Sequence, residues 1–339
     1  MSAENPVRCA VLGAGSFGTC LSILLAEKGH SVELWARDGQ VIEAIRQKRR
    51  NPRYLTDCVL PDSIHATTSL EEALDEKELV ISVVPSHAVR EVWGKGRDWV
   101  RKDALVVSAS KGIEIGTGKL VSDILMETLP RDMHDRLCFL SGPSFAREIA
   151  ERRPTAVSLA ARNETYAIAA QTLLSSPLFR CYTTSDVVGV ELGGALKNVI
   201  AIAVGIADGM ESGLNSRAAL ITRGLAEMTR LGVVLGANPV TFLGLSGVGD
   251  LVLTCTGDLS RNRRVGLEIG RGNSVEEVLA GLTQVAEGVR TAKSAFELAQ
   301  RLDVDMPITT GVYLMLFEGK NPVEAAIELR SRQLKSEYE

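Results

Sequence analysis

The sequence lacks the residue clusters that would indicate a metal site, a disulfide framework or a nucleic-acid-binding surface. Its four histidines are isolated, and its six cysteines include no C-x-x-C pair, so neither residue type offers metal ligands at a usable spacing. The formal net charge of −4 excludes the overall positive field of proteins that bind nucleic acid or anionic membranes. We therefore expect an enzyme without a metal, in which a few local groups hold any anionic ligand.

Long apolar runs are absent as well. No uninterrupted apolar stretch reaches the roughly eighteen residues that a membrane span requires. The start of the chain, Met1 to Arg8, is polar and runs into a strand-like segment, which leaves no room for a signal peptide. Cys9, Cys20 and Cys255 lie in apolar surroundings, as is typical of reduced, buried thiols. These features predict a cytoplasmic protein without stable membrane insertion.

What is present is an average globular composition, with 45% hydrophobic and 24% charged residues in a chain of 339. The first half alternates runs rich in Val, Ile and Leu with helical patterns such as Phe17 to Lys28 and Gly39 to Lys48. This alternation predicts a Rossmann-type, doubly wound parallel sheet with helices on both faces. The predicted strands are Arg8 to Leu12, Ser31 to Trp35, Leu79 to Val84, Ala104 to Ser108, Leu137 to Leu140 and Ala156 to Leu159.

After about Asp186 the pattern becomes helical. Apolar residues recur with the helical period and predict a long helix through Leu192, Leu196, Val199, Ala203 and Ile206. Further helices are predicted at Arg217 to Leu231, Thr291 to Leu302, Thr309 to Glu318 and after Pro322. We therefore predict a dinucleotide-binding α/β domain over residues 1–188 and an all-α substrate domain over residues 189–339.

A glycine-rich turn, G-A-G-S-F-G at residues 13–18, lies between the first predicted strand and the first predicted helix. Gly13 permits the tight turn, Gly15 lets the backbone approach a pyrophosphate, and Gly18 lets the helix pack closely on the strand. The N-terminus of the helix supplies N–H groups and partial positive charge for the anion. Because this pattern occurs in the expected strand–turn–helix context, it predicts a dinucleotide site.

The end of the second predicted strand bears on which dinucleotide is bound. An acidic residue there binds the ribose 2′-hydroxyl of NAD, whereas an arginine suits the 2′-phosphate of NADP. Arg37 occupies this region and Asp38 follows it. The pattern favours NADPH and leaves NADH open; a merely solvated arginine is the alternative interpretation.

Lys197 is the candidate general acid. Its neighbours at helical spacing are Gly193, Gly194, Ala201 and Val204, all small or apolar. A lysine on such a face is costly unless it is paired or functional, and desolvation lowers its pKa toward the range of an acid–base catalyst. Reduction of a ketone requires such a proton donor. A lysine that extends along an interface to reach water is the alternative.

Further candidates lie at a predicted strand end and at a glycine-rich turn. Lys111 follows the strand Ala104 to Ser108, at the edge of the sheet where ligands of open α/β folds bind. Asp250 ends the turn L-S-G-V-G-D, and the segment S-R-N-R-R at 260–264 soon follows. Ser, Arg and Asn side chains at a helix start favour a phosphate clamp. Solvated surface positions remain the alternative for Lys111 and for the basic segment.

Together these segments resemble the bacterial NAD(P)-dependent glycerol-3-phosphate dehydrogenase family. The resemblance spans nearly the whole chain, from Val11 to about Glu328. Its motifs are G-A-G-S-F-G at 13–18, V-V-P-S-H at 83–87, S-K-G at 110–112, S-G-P-S-F-A at 141–146, G-G-A-L-K-N-V-I-A at 193–201, G-L-N-S-R-A-A-L-I-T-R-G at 213–224, G-D-L-V-L-T-C at 249–255, S-R-N-R-R at 260–264 and V-A-E-G at 285–288.

The resemblance implies that Lys197 donates and accepts the proton, with Asp250 and Lys111 beside it. It implies a substrate site lined by Lys111, Gly142, Ser144, Lys197, Asp250, Ser260, Arg261 and Asn262. It implies nucleotide contacts from Ser16, Phe17, Arg37, Lys111, Ala146, Arg261, Val285 and Glu287. The expected reaction is reduction of dihydroxyacetone phosphate to sn-glycerol 3-phosphate with NADPH or NADH, by a cytoplasmic and commonly dimeric enzyme that supplies glycerophospholipid synthesis.

Two other functions stay open from the sequence. A β-hydroxyacid or 6-phosphogluconate-type dehydrogenase also joins a dinucleotide domain to a helical domain with a helical lysine, but it needs a carboxylate-binding site. A non-catalytic NAD(P) sensor would bind the dinucleotide and signal by a conformational change. Lys111 and the basic segment at 260–264 fit a phosphate ester better than a carboxylate, and a sensor has no need of a buried Lys197.

Overall fold

The structure is a computed structural model that describes residues 6–281, 286–334 and 336–337. Within these ranges eight strands form one sheet. They are β1 (Arg8–Leu12), β2 (Ser31–Trp35), β3 (Ile64–Thr67), β4 (Leu79–Ser82), β5 (Leu105–Ser108), β6 (Leu137–Ser141), β7 (Thr155–Ala161) and β8 (Phe179–Thr184). The first six are parallel in the order β3-β2-β1-β4-β5-β6, which confirms the predicted doubly wound fold of the Rossmann type.

Helices cover both faces of the sheet and form the second half of the chain. Those of the first half are α1 (Ser16–Glu27), α2 (Gly39–Lys48), α3 (Leu70–Leu74), α4 (Val89–Gly96), α5 (Val121–Thr128), α6 (Ala146–Ala150) and α7 (Glu164–Leu174). Those of the second half are α8 (Val187–Gly209), α9 (Gly213–Val234), α10 (Asp250–Thr256), α11 (Arg261–Gly270), α12 (Val275–Ala280), α13 (Glu287–Arg301), α14 (Pro307–Phe317) and α15 (Pro322–Ser331). The predicted helices are confirmed, with ends that differ by about one turn at most.

The sheet departs from the prediction at one edge. β7 pairs antiparallel with β6, and β8 runs parallel to β7. The connection from β6 to β7 holds only the five-residue helix α6, which is about 7.5 Å long. Residues 142–154 return the chain to the edge of the sheet where β6 ends, and Ser158 of β7 pairs opposite Ser141. No crossover is formed, so β7 runs against β6.

Two strands lie outside the predicted set. β3 has four residues and forms the other edge of the sheet, where the exposed His65 interrupts its apolar pattern. β8 alternates buried Phe179 and Cys181 with exposed Arg180 and Tyr182. That alternation is the signal of a half-buried edge strand, whereas the predicted strands were identified by continuous apolar runs.

α8 is the central helix of the second half. Its apolar residues pack against α9, α10, α11, α13 and α14. Within the described ranges it is the one helix long and apolar enough to cross a membrane, and 94% of its most apolar stretch is buried inside the protein. Val187 and Val190, in its first turn, pack with residues of the sheet. The predicted domain division at residue 188 therefore falls within a helix that contacts both halves, and it stays a prediction.

Candidate active site

The turn after β1 is closed on its protein side and open on the other. Gly13 has φ +118°, and a Cβ there would come within 2.8 Å of the Val83 carbonyl oxygen. A Cβ on Gly18 would overlap the Gly13 carbonyl oxygen, so the start of α1 packs against the turn through backbone atoms. A Cβ on Gly15 would meet nothing within 4 Å. The open side is where a pyrophosphate would approach the backbone.

The first turn of α1 adds an electrostatic component to this site. Its N-cap, Gly15, supplies no side-chain acceptor for the N–H groups, and no acidic residue lies in the first turn. The positive end of the helix dipole is therefore available to an anion. Ser16 begins α1, and Phe17 is half-buried against the core on this face of the sheet. The turn and helix thus fit a dinucleotide.

Arg37 and Asp38 follow β2, next to the open turn, and differ in the number of hydrogen bonds and ion pairs that their side chains make. Arg37 is exposed and donates no hydrogen bond to any residue in the described ranges. The Asp38 carboxylate caps α2 by accepting the Gln40 N–H at 2.9 Å, and it pairs with Arg53 at 2.8 Å. Of these two side chains, Arg37 is the one that remains available to contact a substituent on a ribose.

A buried carboxylate joins the two predicted lysines. Lys111, just beyond β5, donates to Oδ2 of Asp250 at 3.0 Å, and Lys197, in the middle of α8, donates to Oδ1. Asp250, the first residue of α10, is 1% exposed and Lys197 is 7% exposed. The fold therefore brings together one carboxylate and two ammonium groups from three distant segments at the carboxyl-end edge of the sheet.

Thr254 belongs to the same cluster and was not predicted from the sequence. It lies one turn after Asp250 in α10, and its Oγ1 accepts a hydrogen bond from the Lys197 ammonium at 3.0 Å. The same hydroxyl donates to the Asp250 carbonyl oxygen at 2.6 Å. A threonine in the apolar segment L-V-L-T-C carries no local signal. Only its four-residue spacing from Asp250, which places both on one helix face, could have indicated it.

Burial and the charges within the cluster shift the pKa values of Lys197 and Asp250. Burial lowers the pKa of Lys197 to about 8, and the neighbouring Lys111 ammonium acts in the same direction, while Asp250 opposes both. Burial alone would raise the pKa of Asp250, but the two ammonium groups outweigh burial and hold it below its ordinary value. At neutral pH Asp250 is therefore ionised, and Lys197 is an ammonium that can exchange a proton near physiological pH.

The start of α11 lies beside this cluster because α11 packs on α8 through glycines. A Cβ on Gly205 would overlap the Arg263 carbonyl oxygen, and one on Gly266 would overlap the Ile202 carbonyl oxygen. Ser260 caps α11, and its Oγ accepts the Arg263 N–H at 3.2 Å. The remaining N–H groups of this first turn and the positive helix end could hold an anion, and the phosphate clamp at the basic segment stays a prediction.

Asn262 connects α11 to two other helices. Its Nδ2 donates to Oδ1 of Asn198 at 2.8 Å, and its Oδ1 accepts the Gly288 N–H at 3.0 Å. Asn198 follows Lys197 directly in α8 and was not predicted from the sequence. The pair therefore fixes the start of α11 and the start of α13 relative to Lys197. An asparagine in a helix carries no sequence signal for such a bridge.

The residues after β6 include the predicted substrate contacts Gly142 and Ser144. Gly142 has φ +140°, which favours glycine, and its carbonyl oxygen accepts the Ser144 hydroxyl at 2.8 Å. Gly194 of α8 passes directly over this strand end, since a Cβ there would lie 2.5 Å from Oγ of Ser141. Ala146 begins α6 and packs against the core on the same face of the sheet as Phe17.

Glu287 and Arg261 lie where the two halves of the chain meet. The Ser86 hydroxyl, in the turn after β4, donates to Oε2 of Glu287 at 3.1 Å. Burial raises the pKa of Glu287, while the Arg261 guanidinium acts to lower it. This contact links the dinucleotide half to α13. Val285, which the resemblance places at the nucleotide, lies outside the described residues.

Among residues 6–281, 286–334 and 336–337, no three His, Cys, Asp or Glu side chains lie together so that they could hold a metal ion. The candidate site consists of lysines, a carboxylate, hydroxyls, amides and helix N-termini.

Comparison with known proteins gives consistent results over both halves. The NAD-dependent glycerol-3-phosphate dehydrogenase N-terminus family matches residues 8–167, and the corresponding C-terminus family matches residues 186–327. The chain is 53% identical over 330 residues to the glycerol-3-phosphate dehydrogenase [NAD(P)+] of Citrifermentans bemidjiense, covering 97% of this chain and 98% of that protein. It is 50% identical over 331 residues to the enzyme of that name from Myxococcus xanthus, covering 98% and 99%. The crystal structure of glycerol-3-phosphate dehydrogenase from Coxiella burnetii matches with a TM-score of 0.92 at 38% identity, covering 96% of this chain and 99% of that one.

Proposed function

The chain belongs to the NAD-dependent glycerol-3-phosphate dehydrogenase family and is an NAD(P)-dependent oxidoreductase, and we propose that Lys197, Asp250 and Lys111 form its reacting centre. The substrate pair that its relatives' names indicate is dihydroxyacetone phosphate and sn-glycerol 3-phosphate. The observation that carries the proposal is the buried Asp250 carboxylate shared by two ammonium groups at the edge of the sheet where ligands bind.

Lys197 is the proton donor in the direction of reduction. A bound nicotinamide dinucleotide supplies the hydride that reduces the carbonyl carbon. Of the three N–H donors of the Lys197 ammonium, one faces Asp250 and one faces Thr254, which leaves one for the substrate oxygen. With a pKa of about 8, the same group gives up the proton to the developing alkoxide and takes it back in the reverse direction.

The phosphate of the substrate is held by the start of α11 together with Lys111. The N–H groups of the first turn, the Arg261 guanidinium and the Asn262 amide lie at the positive end of a ten-residue helix. The ammonium groups outnumber the carboxylate in the neighbouring cluster, so its charge attracts a dianion. Gly142 and Ser144 complete the wall of this site after β6.

The cofactor we propose is NADPH in preference to NADH. The open side of the turn at Gly15 and the first turn of α1, with Ser16 and Phe17, hold the pyrophosphate. Arg37 is exposed and available for a 2′-phosphate, whereas Asp38 is already engaged. Lys111, Ala146, Arg261, Val285 and Glu287 are assigned to the same nucleotide by the resemblance to the family.

The resemblance also supports the biological setting. We propose a cytoplasmic homodimer that makes no stable membrane insertion and supplies sn-glycerol 3-phosphate to glycerophospholipid synthesis. The burial of α8 within the protein supports the absence of insertion. We retain residues 1–188 and 189–339 as the nucleotide and substrate domains.

The test follows the absorbance of the reduced nicotinamide with four candidate substrates. We expect turnover of dihydroxyacetone phosphate, and a loss of roughly 100-fold or more in kcat/KM for dihydroxyacetone, which lacks the phosphate that two charge-assisted contacts would hold. Equal values of kcat/KM for the two ketones would contradict the proposed phosphate site. Oxidation of 6-phosphogluconate in place of glycerol 3-phosphate would favour the hydroxyacid alternative. Binding of NADPH without turnover of any substrate would favour the sensor.

A further inference from the structure

One buried amide fastens the segment that follows α2 onto the dinucleotide turn. Asn51 is fully buried, and its Nδ2 donates to the Ala14 carbonyl oxygen at 2.9 Å and to Oγ1 of Thr19 at 2.9 Å. Its Oδ1 accepts the N–H groups of Arg53 and Tyr54 at 3.0 and 3.1 Å. Both donors and both acceptor positions of the amide are thus used. The backbone at Arg53 is therefore fixed relative to the glycine turn and to the first turn of α1.

The Arg53 side chain extends from this fixed backbone to Asp38. Its guanidinium lies 2.8 Å from Oδ2 of Asp38, the residue directly after Arg37. The Asp38 side chain also caps α2. A carboxylate at the end of the second strand would otherwise accept the ribose 2′-hydroxyl of NAD and repel a 2′-phosphate. The ion pair with Arg53 opposes both effects.

We propose that Arg53 is a second specificity-determining residue for the cofactor and that Asn51 is the positioning residue that holds it. Arg53 neutralises Asp38 and sets a second guanidinium beside Arg37, so the 2′-phosphate meets two cations and no unpaired anion. This inference rests on the proposed NADPH site and extends it from one arginine to two.

The ion pair does little for folding, which makes the proposal testable. The Arg53 side chain is 54% exposed, and exposed ion pairs contribute little to stability. Arg101 offers a matched control, because it forms a similar exposed pair with Asp103 just before β5, at the amino end of the strands and away from the ligand edge. Arg53→Ala and Arg101→Ala should therefore both fold normally.

The first measurement is calorimetric binding of 2′,5′-ADP and of 5′-AMP, two probes that differ in the 2′-phosphate. We expect Arg53→Ala to weaken 2′,5′-ADP binding roughly tenfold, as for one charge-assisted contact, and to leave 5′-AMP binding unchanged or slightly tighter. Arg101→Ala should bind both as the wild type does. An equal loss for both probes, or no loss, overturns the role of Arg53.

The second measurement is the ratio of kcat/KM with NADPH to that with NADH. Arg53→Ala should lower this ratio about tenfold through KM, with kcat at saturating cofactor unchanged. A wild-type ratio at or below one contradicts the proposed preference for NADPH. A wild-type ratio well above one that Arg53→Ala leaves intact contradicts only the inference about Arg53.

Asn51→Ala tests the positioning role. We expect the NADPH:NADH ratio to fall as in Arg53→Ala, with a rise in KM for both cofactors because the turn at Ala14 also loses its brace. A folded Asn51→Ala variant with the wild-type ratio overturns the part assigned to Asn51. Since Asn51 is fully buried, the variant's melting temperature is measured first. If it does not fold, Arg53→Ala still decides the proposal.

Discussion

In the part of the chain that the structure describes, two carboxylates whose side chains are less than a tenth exposed are each shared by two cations, one beside the middle of α8 and the other at its C-terminal end. Asp250 joins Lys197 to Lys111, and Asp208 joins Arg217 of α9 to Arg263 of α11 at 2.9 and 2.8 Å. The charge pattern is the same, but the cations differ. Arginine keeps its proton at every physiological pH, whereas a buried lysine does not. The comparison teaches that the same ion-pair arrangement provides a titratable cation at Asp250 and a permanently charged pair of cations at Asp208, so only the first suits the proposed proton transfer.

The two clusters also differ in what surrounds them. The Asp208 cluster joins α8, α9 and α11 at the C-terminal end of α8, and it includes the Arg263 side chain from the first turn of α11. The Asp250 cluster lies against the strand ends and the start of α11, where the fold leaves N–H groups and an ammonium donor for a ligand. The first arrangement is therefore expected to stabilise the fold and the second to carry the reaction.

The largest expected effect is the loss of activity in Lys197→Met. Removing the general acid should lower kcat by roughly 10²–10⁴-fold, measured by steady-state turnover of dihydroxyacetone phosphate. Arg217→Met removes a cation of the other cluster and should leave kcat within a few-fold of normal. Cofactor binding and circular dichroism establish that both variants fold. Near-normal turnover of a folded Lys197→Met protein would end the assignment of Lys197.

The next effect concerns stability. Asp208→Asn leaves two partly buried guanidinium groups facing an amide, and we expect a loss of roughly 2–3 kcal/mol in the free energy of unfolding, somewhat below the value for a fully buried pair. Denaturant titration measures it. The kcat of the folded variant should stay near normal, because none of Asp208, Arg217 and Arg263 belongs to the proposed reacting centre. If Asp208→Asn abolished turnover while remaining fully folded, the division between a structural and a reactive cluster would be wrong.

The pH dependence of the reaction tests whether Asp250, and not Asp208, sets the pKa of Lys197. Because burial lowers the pKa of Lys197 to about 8, kcat/KM for ketone reduction, which needs the ammonium, should fall as the pH rises through about 8. Oxidation of glycerol 3-phosphate, which needs the neutral amine, should rise through the same pH. The Asp250 carboxylate favours the charged form of Lys197, so Asp250→Asn should move both limbs to lower pH by roughly one unit.

Asp208→Asn is the matched control for that shift, since it removes a carboxylate of the other cluster. Its two pH limbs should coincide with those of the wild type. Limbs that move upward in Asp250→Asn, or that move equally in both variants, would contradict the direct pairing of Asp250 with the catalytic lysine.

Much of the candidate active site is predictable from the sequence because its members break a local pattern. Lys197 is a charge on a small and apolar helix face, and Lys111 is a charge at a strand end. The glycine turn is contiguous, so its spacing alone indicates its geometry. Thr254 and Asn51 break no such pattern. Their roles arise from partners that only the folded chain brings close to them.

The fold shows the same limit. The central strands are continuous apolar runs because helices cover both their faces, and these strands were predicted. The edge strands β3 and β8 carry exposed polar residues and were not predicted. The reversal at β7 is a choice of pairing direction, which the apolar pattern of a strand does not encode.

The smallest expected effect is that of Thr254→Val, which keeps the shape of the side chain and removes the hydroxyl that accepts from Lys197. Losing one hydrogen bond to the ammonium should lower kcat/KM by roughly five- to tenfold. It should also move the pH limb of Lys197 slightly lower, because the hydroxyl oxygen stabilises the charged form. Thr256→Val, on the same helix and with its hydroxyl bonded to the Val252 carbonyl oxygen, is the isosteric control and should change neither quantity. A wild-type rate and pH limb in Thr254→Val would show that Asp250 alone orients the ammonium and that the hydroxyl only caps its own helix turn.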